Sequence, residues 1–316
     1  MNECTEIREQ SEVRPPFSRL RARLIVATGL VLAACTWAHA QTLNGAAALK
    51  SRYQELQGEL NNNAYHRPLY LNSREDGGNV KGDIYAVLAY PFAQVRTSLD
   101  SPEHWCDILI LHLNTKYCRL MREGGQTILR MQVGKKTEQD IDDTYRIDLR
   151  YHGGVSTADY FSSSMLADKG PLDTSRYRIE IEAIALDEQR SFLHFSYAYS
   201  YGMASRIALR AYLMTAGRDK VGFSVVKREA NGQPLYVSGS RATVERNTMR
   251  YYLAIDAYLS GLTAPPGERL EKRLTTWYGA TEQYPRQLHE LSREAYLAMK
   301  RKEVARQQKA AQPEAQ

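Results

Sequence analysis

The sequence predicts an α+β fold: an antiparallel β-sheet lays one apolar face on a long helix near the C-terminus, with further helices at both ends. Three observations point to it. Segments between Lys116 and Tyr201 alternate apolar and polar residues with period two. Within them, Arg176–Tyr201 reads as a hairpin: Tyr177, Ile179, Ile181 and Ala183 alternate with charged residues, Asp187-Glu188-Gln189 turns, and Leu193, Phe195, Tyr197, Tyr199 and Tyr201 alternate with His194, Ser196, Ala198 and Ser200. Beyond Gly202 the period changes to about 3.6, and a long apolar stripe follows between Thr243 and Ser260.

The elements follow in order. Leu49, Tyr53, Leu56 and Leu60 recur at helical spacing, so an amphipathic helix is expected from Asn44 to Leu60, ended by Asn61-Asn62-Asn63. A short strand at Leu69–Asn72 meets the turn signal Glu75-Asp76-Gly77-Gly78-Asn79 and returns as Lys81–Tyr90, with Ile84, Ala86 and Leu88 on one face. Pro91 stops that strand. Phe92–Leu99 reads as a short helix, and a second starts near Ser101-Pro102-Glu103, where serine caps and proline takes the first helical position. After an apolar run to Leu113, strands are expected at Lys116–Met121, Thr127–Val133, Thr144–His152 and Tyr160–Ala167, before the hairpin. Leu129, Met131 and Val133 oppose Arg130 and Gln132, and Tyr145, Ile147, Leu149 and Tyr151 oppose Arg146, Asp148, Arg150 and His152. A meander buried on one face has this pattern.

A helix from Met203 to Gly217 and a hairpin, Lys220–Lys227 with Leu235–Arg241, precede the long helix, whose stripe is Val244, Tyr251, Ile255, Tyr258 and Leu259. Pro265-Pro266 opens another helix marked by Leu270, Leu274, Trp277 and Tyr278, and a last one decays after Met299. The charged and Gln/Ala-rich tail Arg301–Gln316 reads as disordered.

With 316 residues, 43% hydrophobic and 25% charged, the chain has room for one core with helical additions. Its net charge of +6 is spread among acids with no basic block, which argues against a nucleic-acid footprint. Arg19, Arg21 and Arg23 precede the uncharged run Leu24–Ala34, short for a membrane span and suited to a secretory signal, with Ala38-His39-Ala40 as the cleavage site. An alternative reading takes Leu32-Ala33-Ala34-Cys35 as a lipobox, with Cys35 lipidated as a membrane tether; a buried apolar helix is the plain alternative. Either export reading predicts a periplasmic protein, free or anchored. In such a compartment Cys106 and Cys118 are candidates for a disulfide, two buried thiols being the alternative.

The order of strand, helix pair, antiparallel strands and long helix from Val80 to Leu262 resembles the START-like (SRPBCC, helix-grip) superfamily, which includes START lipid-transfer domains and polyketide cyclase/dehydrase-like proteins. Gly82-Asp-Ile-Tyr-Ala-Val-Leu-Ala-Tyr-Pro-Phe-Ala-Gln-Val95 and the following Trp105 are similar to the opening strand and helices of such domains. The Trp105-Cys106-Asp107 segment with a second cysteine also resembles uncharacterised exported bacterial members. The segment Met203–Arg241 and the helices after Pro265 depart from the family order. The resemblance implies a curved sheet gripping the long helix around a pocket for a hydrophobic ligand. Together with the residue patterns above, this divides the chain into an export signal (1–40), an N-terminal helix and strand (41–79), the helix-grip domain implied by the resemblance (80–262), a helical extension (263–300) and a tail (301–316).

Tyr145, Tyr151, Tyr177, Tyr197, Tyr199 and Tyr201 on the expected inner face, with Trp105, are then the candidate ligand-binding residues. Tyrosine pairs a large apolar ring with a hydroxyl, which suits an amphipathic molecule such as a lipid; the plain alternative is that these rings only pack on the helix. No Gly-rich phosphate loop, metalloprotease His pair or Gly-x-Ser-x-Gly elbow is present, so no cofactor, metal or catalytic residue is assigned. A cyclase-like or hydrolytic activity would draw on His104 or a tyrosine as acid or base. His152 and His194 are expected on the solvated face. A third reading makes the helices after Pro265 a docking module for envelope proteins.

Overall fold

A computed structural model describes residues 45–311 apart from 204, 208–210 and 212–219. The proposed signal, the lipobox Cys35 and most of the helix expected from Met203 to Gly217 lie outside these residues.

The strands β1 (Leu69–Asp76), β2 (Asn79–Leu88), β3 (Thr115–Glu123), β4 (Gln126–Val133), β5 (Tyr145–Ser156), β6 (Tyr160–Lys169), β7 (Thr174–Ala185) and β8 (Ser191–Tyr201) form one sheet. Its order is β1-β2-β8-β7-β6-β5-β4-β3, antiparallel throughout. The meander from β3 to β8 pairs neighbours in sequence. The first hairpin is then added beside the last strand, with Ile84 opposite Phe195 and Phe195 opposite Ile181. Because side chains alternate, that register puts Ile84, Phe195 and Ile181 on one face, and all are buried.

Helix α1 (residues 45–55) and helix α2 (Gln57–Asn61) precede the sheet. Helices α3 (Phe92–Leu99) and α4 (Trp105–Leu109) bridge β2 to β3, and α5 (Gly239–Gly261) is the long helix. The hairpin before α5 is short, β9 (Val225–Arg228) with β10 (Pro234–Tyr236). Helix α5 crosses the inner face of the sheet, burying Val244, Met249, Tyr252, Leu253, Ile255, Tyr258 and Leu259 in the same core as Ile84, Phe195 and Ile181. At the crossing Gly82 is required: a Cβ there would lie 2.3 Å from Thr248 Oγ1. The expected sheet-on-helix α+β architecture is therefore the observed one.

The opposite face of the sheet is also partly covered. Leu49, Leu56 and Leu60 of the N-terminal helices pack on Tyr160, Ile184 and Phe192, and Tyr53 meets Phe192 at 5.0 Å between ring centroids. Phe192 and Ile184 interrupt the alternation of their strands, and this contact explains them.

The C-terminal helices α6 (Arg269–Thr281), α7 (Pro285–Leu288) and α8 (Arg293–Ala311) belong to the main core rather than standing apart as an extension. Leu274, Trp277, Leu288, Tyr296, Leu297 and Met299 are buried in it, and Trp277 stacks on Tyr296 at 4.9 Å. The tail expected to be disordered from Arg301 is instead helical to Ala311. The reason is a buried ionic network that composition does not reveal. Glu303 accepts from Lys116 Nζ at 3.0 Å and from Lys300 Nζ at 2.7 Å, while Gln307 accepts the Cys118 amide at 3.1 Å. Among the described residues no helix is long and apolar enough to cross a membrane.

Candidate functional site

Between the inner face and α5 the sheet and helix leave a cavity of about 530 Å³. Its apolar wall is built by strand alternation: Met131 and Val133 from β4, Ile147 and Leu149 from β5, Ile179 from β7 and Tyr197 from β8, roofed by Tyr251 of α5. Tyr251 contacts Tyr197 at 5.3 Å between centroids. The hydroxyls of Tyr197 and Tyr251 have no protein hydrogen-bond partner among the described residues. Burial raises both pKa values, so both stay protonated and able to donate.

One end of the cavity is polar. His112 and Asn114, on the approach to β3, face Asn247 of α5. Asn114 donates its backbone N–H to His112 Nδ1 at 3.1 Å and its side-chain amide to the Gly134 carbonyl at 2.5 Å. His112 is 2% exposed and stacks on Tyr251 at 4.7 Å. Its Nε2 has no hydrogen bond, with the Asn247 side chain beside it but out of bonding geometry. Burial pushes the His112 pKa well below its ordinary value, and the charges of Arg250, Lys300 and Lys136 push the same way, so the ring is neutral.

The rim is formed by Lys135, Gln139, Asp143, Tyr145, Pro171 and Leu172. Gln139 braces it, accepting from the Lys135 amide at 2.7 Å and donating to the Asp143 carbonyl at 2.7 Å. On the other side Leu172 is 53% exposed, and Leu172, Asp173 and Arg176 all hold left-handed φ, at 54°, 64° and 52°. Such backbone costs of order 1–3 kcal/mol per residue and gathers at ligand clamps. The strain goes with a β-bulge between Ser175 and Arg178, which leaves Tyr177 without a partner on β8 while it still pairs with Ala167 of β6, and Tyr177 lines the cavity wall.

Of the residues singled out in the sequence, Tyr145, Tyr177 and Tyr197 line the cavity. Tyr199 lies outside that wall, stacked on Tyr177 at 5.5 Å. Tyr151 donates its hydroxyl to the Asp100 carbonyl at 2.8 Å, and Tyr201 donates to the Glu75 carboxylate, so the first ties the middle of β5 and the second the end of β8 to other segments. Trp105 is buried at 1% exposure with its indole N–H on the Leu99 carbonyl at 2.9 Å; it joins α4 to the end of α3 and is not on the cavity wall. His104 holds the Ser98 carbonyl at 3.1 Å, away from the cavity, so the acid/base role it would need there has no geometry.

Cys106 and Cys118 form a disulfide that ties α4 to β3, Cα to Cα 5.2 Å. His194, expected to be solvated, instead bridges Asp83 and Glu182 at 2.8 Å each and stacks on Tyr85 at 4.2 Å. Among the described residues no group of His, Cys, Asp and Glu is placed to hold a metal ion.

His112, Asn247 and Tyr251 were not singled out as site residues. His112 sits in the apolar run Ile108–Leu113, and a polar ring there is the one signal that could have marked it. Tyr251 read as core because it lies in the helix stripe.

No family model and no curated protein matches the chain. Among solved structures it is similar to the Zhui aromatase/cyclase from Streptomyces sp. R1128, at 12% identity, covering 69% of this chain and 95% of that one with a TM-score of 0.29. It is similar to human StAR-related lipid transfer protein 5, at 8% identity, 55% and 90% coverage and a TM-score of 0.30. Norcoclaurine synthase from Thalictrum flavum matches at 13% identity, 48% and 79% coverage and a TM-score of 0.30. The fold assignment rests on the strand order and register described above.

Proposed function

We propose that the chain is a START-like, helix-grip protein of the bacterial periplasm that binds or carries a hydrophobic or amphipathic small molecule between its sheet and α5. The observation that carries this reading is the cavity of about 530 Å³, walled by aliphatic and tyrosine side chains in an otherwise densely packed core. A volume of that size, mostly apolar with a few convergent polar groups, is the usual form of a small-molecule site. Burial of the ligand's apolar surface supplies affinity, at about 25 cal/mol per Å², and the hydroxyls of Tyr197 and Tyr251 orient it. The strained, exposed Leu172 segment at the rim suits entry and exit of an apolar molecule.

Export is supported by the N-terminal signal pattern and by the Cys106–Cys118 disulfide, which persists in oxidising compartments. Native mass spectrometry of protein purified from the envelope of its own cells, with lipid extraction of the same sample, tests the binding role. An adduct released by solvent and identified as an apolar or amphipathic molecule is expected. A clean apo spectrum, together with no uptake of added lipid, would overturn the proposal.

A further inference from the structure

We infer that the cavity selects an amphipathic ligand with a carboxylate-type acidic head, seated against His112 and Asn247 with its tail along Tyr197, Tyr251 and Ile179. The inference rests on the ligand-binding reading above and names the ligand's chemistry.

The first argument is an unmet hydrogen bond. Because Asn114 donates to Nδ1 of His112, the ring proton of neutral His112 sits on Nε2. That N–H has no acceptor although it is buried at the cavity wall. A buried donor left without a partner costs about 1–3 kcal/mol, so an acceptor brought by a ligand recovers that energy. Asn247 lines the cavity beside it, and its side-chain amide carries N–H groups that a second ligand oxygen can accept from.

The second argument is charge. Lys300 donates its ammonium to the His112 backbone carbonyl at 2.6 Å. Lys300 and Lys116, neither with any exposure, share the single carboxylate of Glu303, so that network carries excess positive charge into the core. Arg250, 1% exposed, sits on α5 beside Tyr251. Burial does most to keep a proton off His112, and the charges of Arg250, Lys300 and Lys136 add to it. Arg250 and Lys136 share the one carboxylate of Glu290, so the cations outnumber their counter-ions and favour a negative group at the same place, where the field is weakly screened. An ammonium head would meet the opposite force. Between that end and the polar rim of Lys135, Gln139 and Asp143 the wall is aliphatic and aromatic, so a small inorganic anion would leave that stretch bare.

Full-length protein titrated calorimetrically with dodecanoate, dodecanol and dodecylamine separates head from tail. The expected order is dodecanoate at least about tenfold tighter than dodecanol, with dodecylamine weakest, a tenfold ratio corresponding to one strong polar interaction. His112→Phe keeps a ring against Tyr251 and removes the donor; it is expected to lose about tenfold for dodecanoate and clearly less for dodecanol, whose neutral oxygen accepts the weaker bond. If His112→Phe does not fold, Asn247→Leu is read in the same way. Equal binding of dodecanoate and dodecanol, or equal losses for both in the variant, overturns the acidic-head inference and leaves the apolar cavity standing. No binding of any of the three overturns the ligand-binding reading itself.

Discussion

Replacing Glu303 by glutamine removes the one carboxylate that two fully buried ammonium groups share. Its Oε1 lies 3.0 Å from Lys116 and its Oε2 2.7 Å from Lys300. Glutamine keeps the shape and a carbonyl acceptor but leaves the two cations uncompensated. Removing one partner of a buried ion pair costs about 3–5 kcal/mol. The protein has an escape: burial already pushes Lys300 down to about 8, so shedding its proton near neutral pH costs only about 1.4 kcal/mol per pH unit below that value. The expected loss near pH 7 is therefore about 2–4 kcal/mol, shrinking toward about pH 9 where folded Lys300 is neutral. The sign follows from proton counting. Between about 8 and the ordinary lysine value of 10.5 the unfolded chain binds more protons than the folded one, so raising the pH favours the fold. Urea unfolding followed by circular dichroism at the two pH values measures it. A Glu303→Gln protein as stable as wild type near pH 7, with amides after Arg301 exchanging as freely as an unfolded chain, would refute the seating of α8 on β3.

Three further outcomes are expected. Gly82→Ala drives a Cβ into Thr248 at 2.3 Å and should cost about 1–3 kcal/mol, most of it recovered when Thr248→Ala is added; thermal melts showing no loss in the single variant would contradict the β2–α5 contact. Replacing Cys106 and Cys118 with serine should lower stability by about 3 kcal/mol, the chain-entropy value for cysteines 12 residues apart, and equal melts with and without reductant in the wild type would argue against the bridge. For His194, burial alone would lower the pKa, but the bonds and charges of Asp83 and Glu182 outweigh it and raise the value. Its contribution is present below the ordinary 6.5 and is lost as pH rises through the folded value, so His194→Gln should cost about 1–2 kcal/mol in acid and less in mild base. A pH-independent difference between the two proteins would sink that assignment.

The sheet was legible in the sequence because alternation is a local signal: each strand of the β3–β8 meander states its own buried face. The pairing of β2 with β8 was not, since it joins segments more than a hundred residues apart with no pattern that names the partner. The site was half legible. Tyr145, Tyr177 and Tyr197 sit on the expected face, but the bulge at Arg176 and the hydroxyl ties of Tyr151 and Tyr201 decide which rings meet the cavity, and these depend on neighbouring segments. His112 escaped notice because its meaning comes from three long-range facts at once: Asn247 and Tyr251 on α5 and Lys300 on α8. The helical tail escaped for the same reason. Arg301–Ala311 is polar enough to be disordered alone; the Glu303 and Gln307 contacts to β3, the ion pairs of Arg301 with Glu271 and of Lys302 with Glu138, and the buried Val304 hold it.

The central claim is that the space between the sheet and α5 is a ligand site. The most direct measurement is a high-resolution crystal structure of the protein isolated from its own cells. The account predicts elongated non-protein density in contact with Tyr177, Tyr197 and Tyr251, ending at His112. Side chains of β4, β5 and α5 collapsed into that volume, with no density beyond the protein's own atoms, would contradict it.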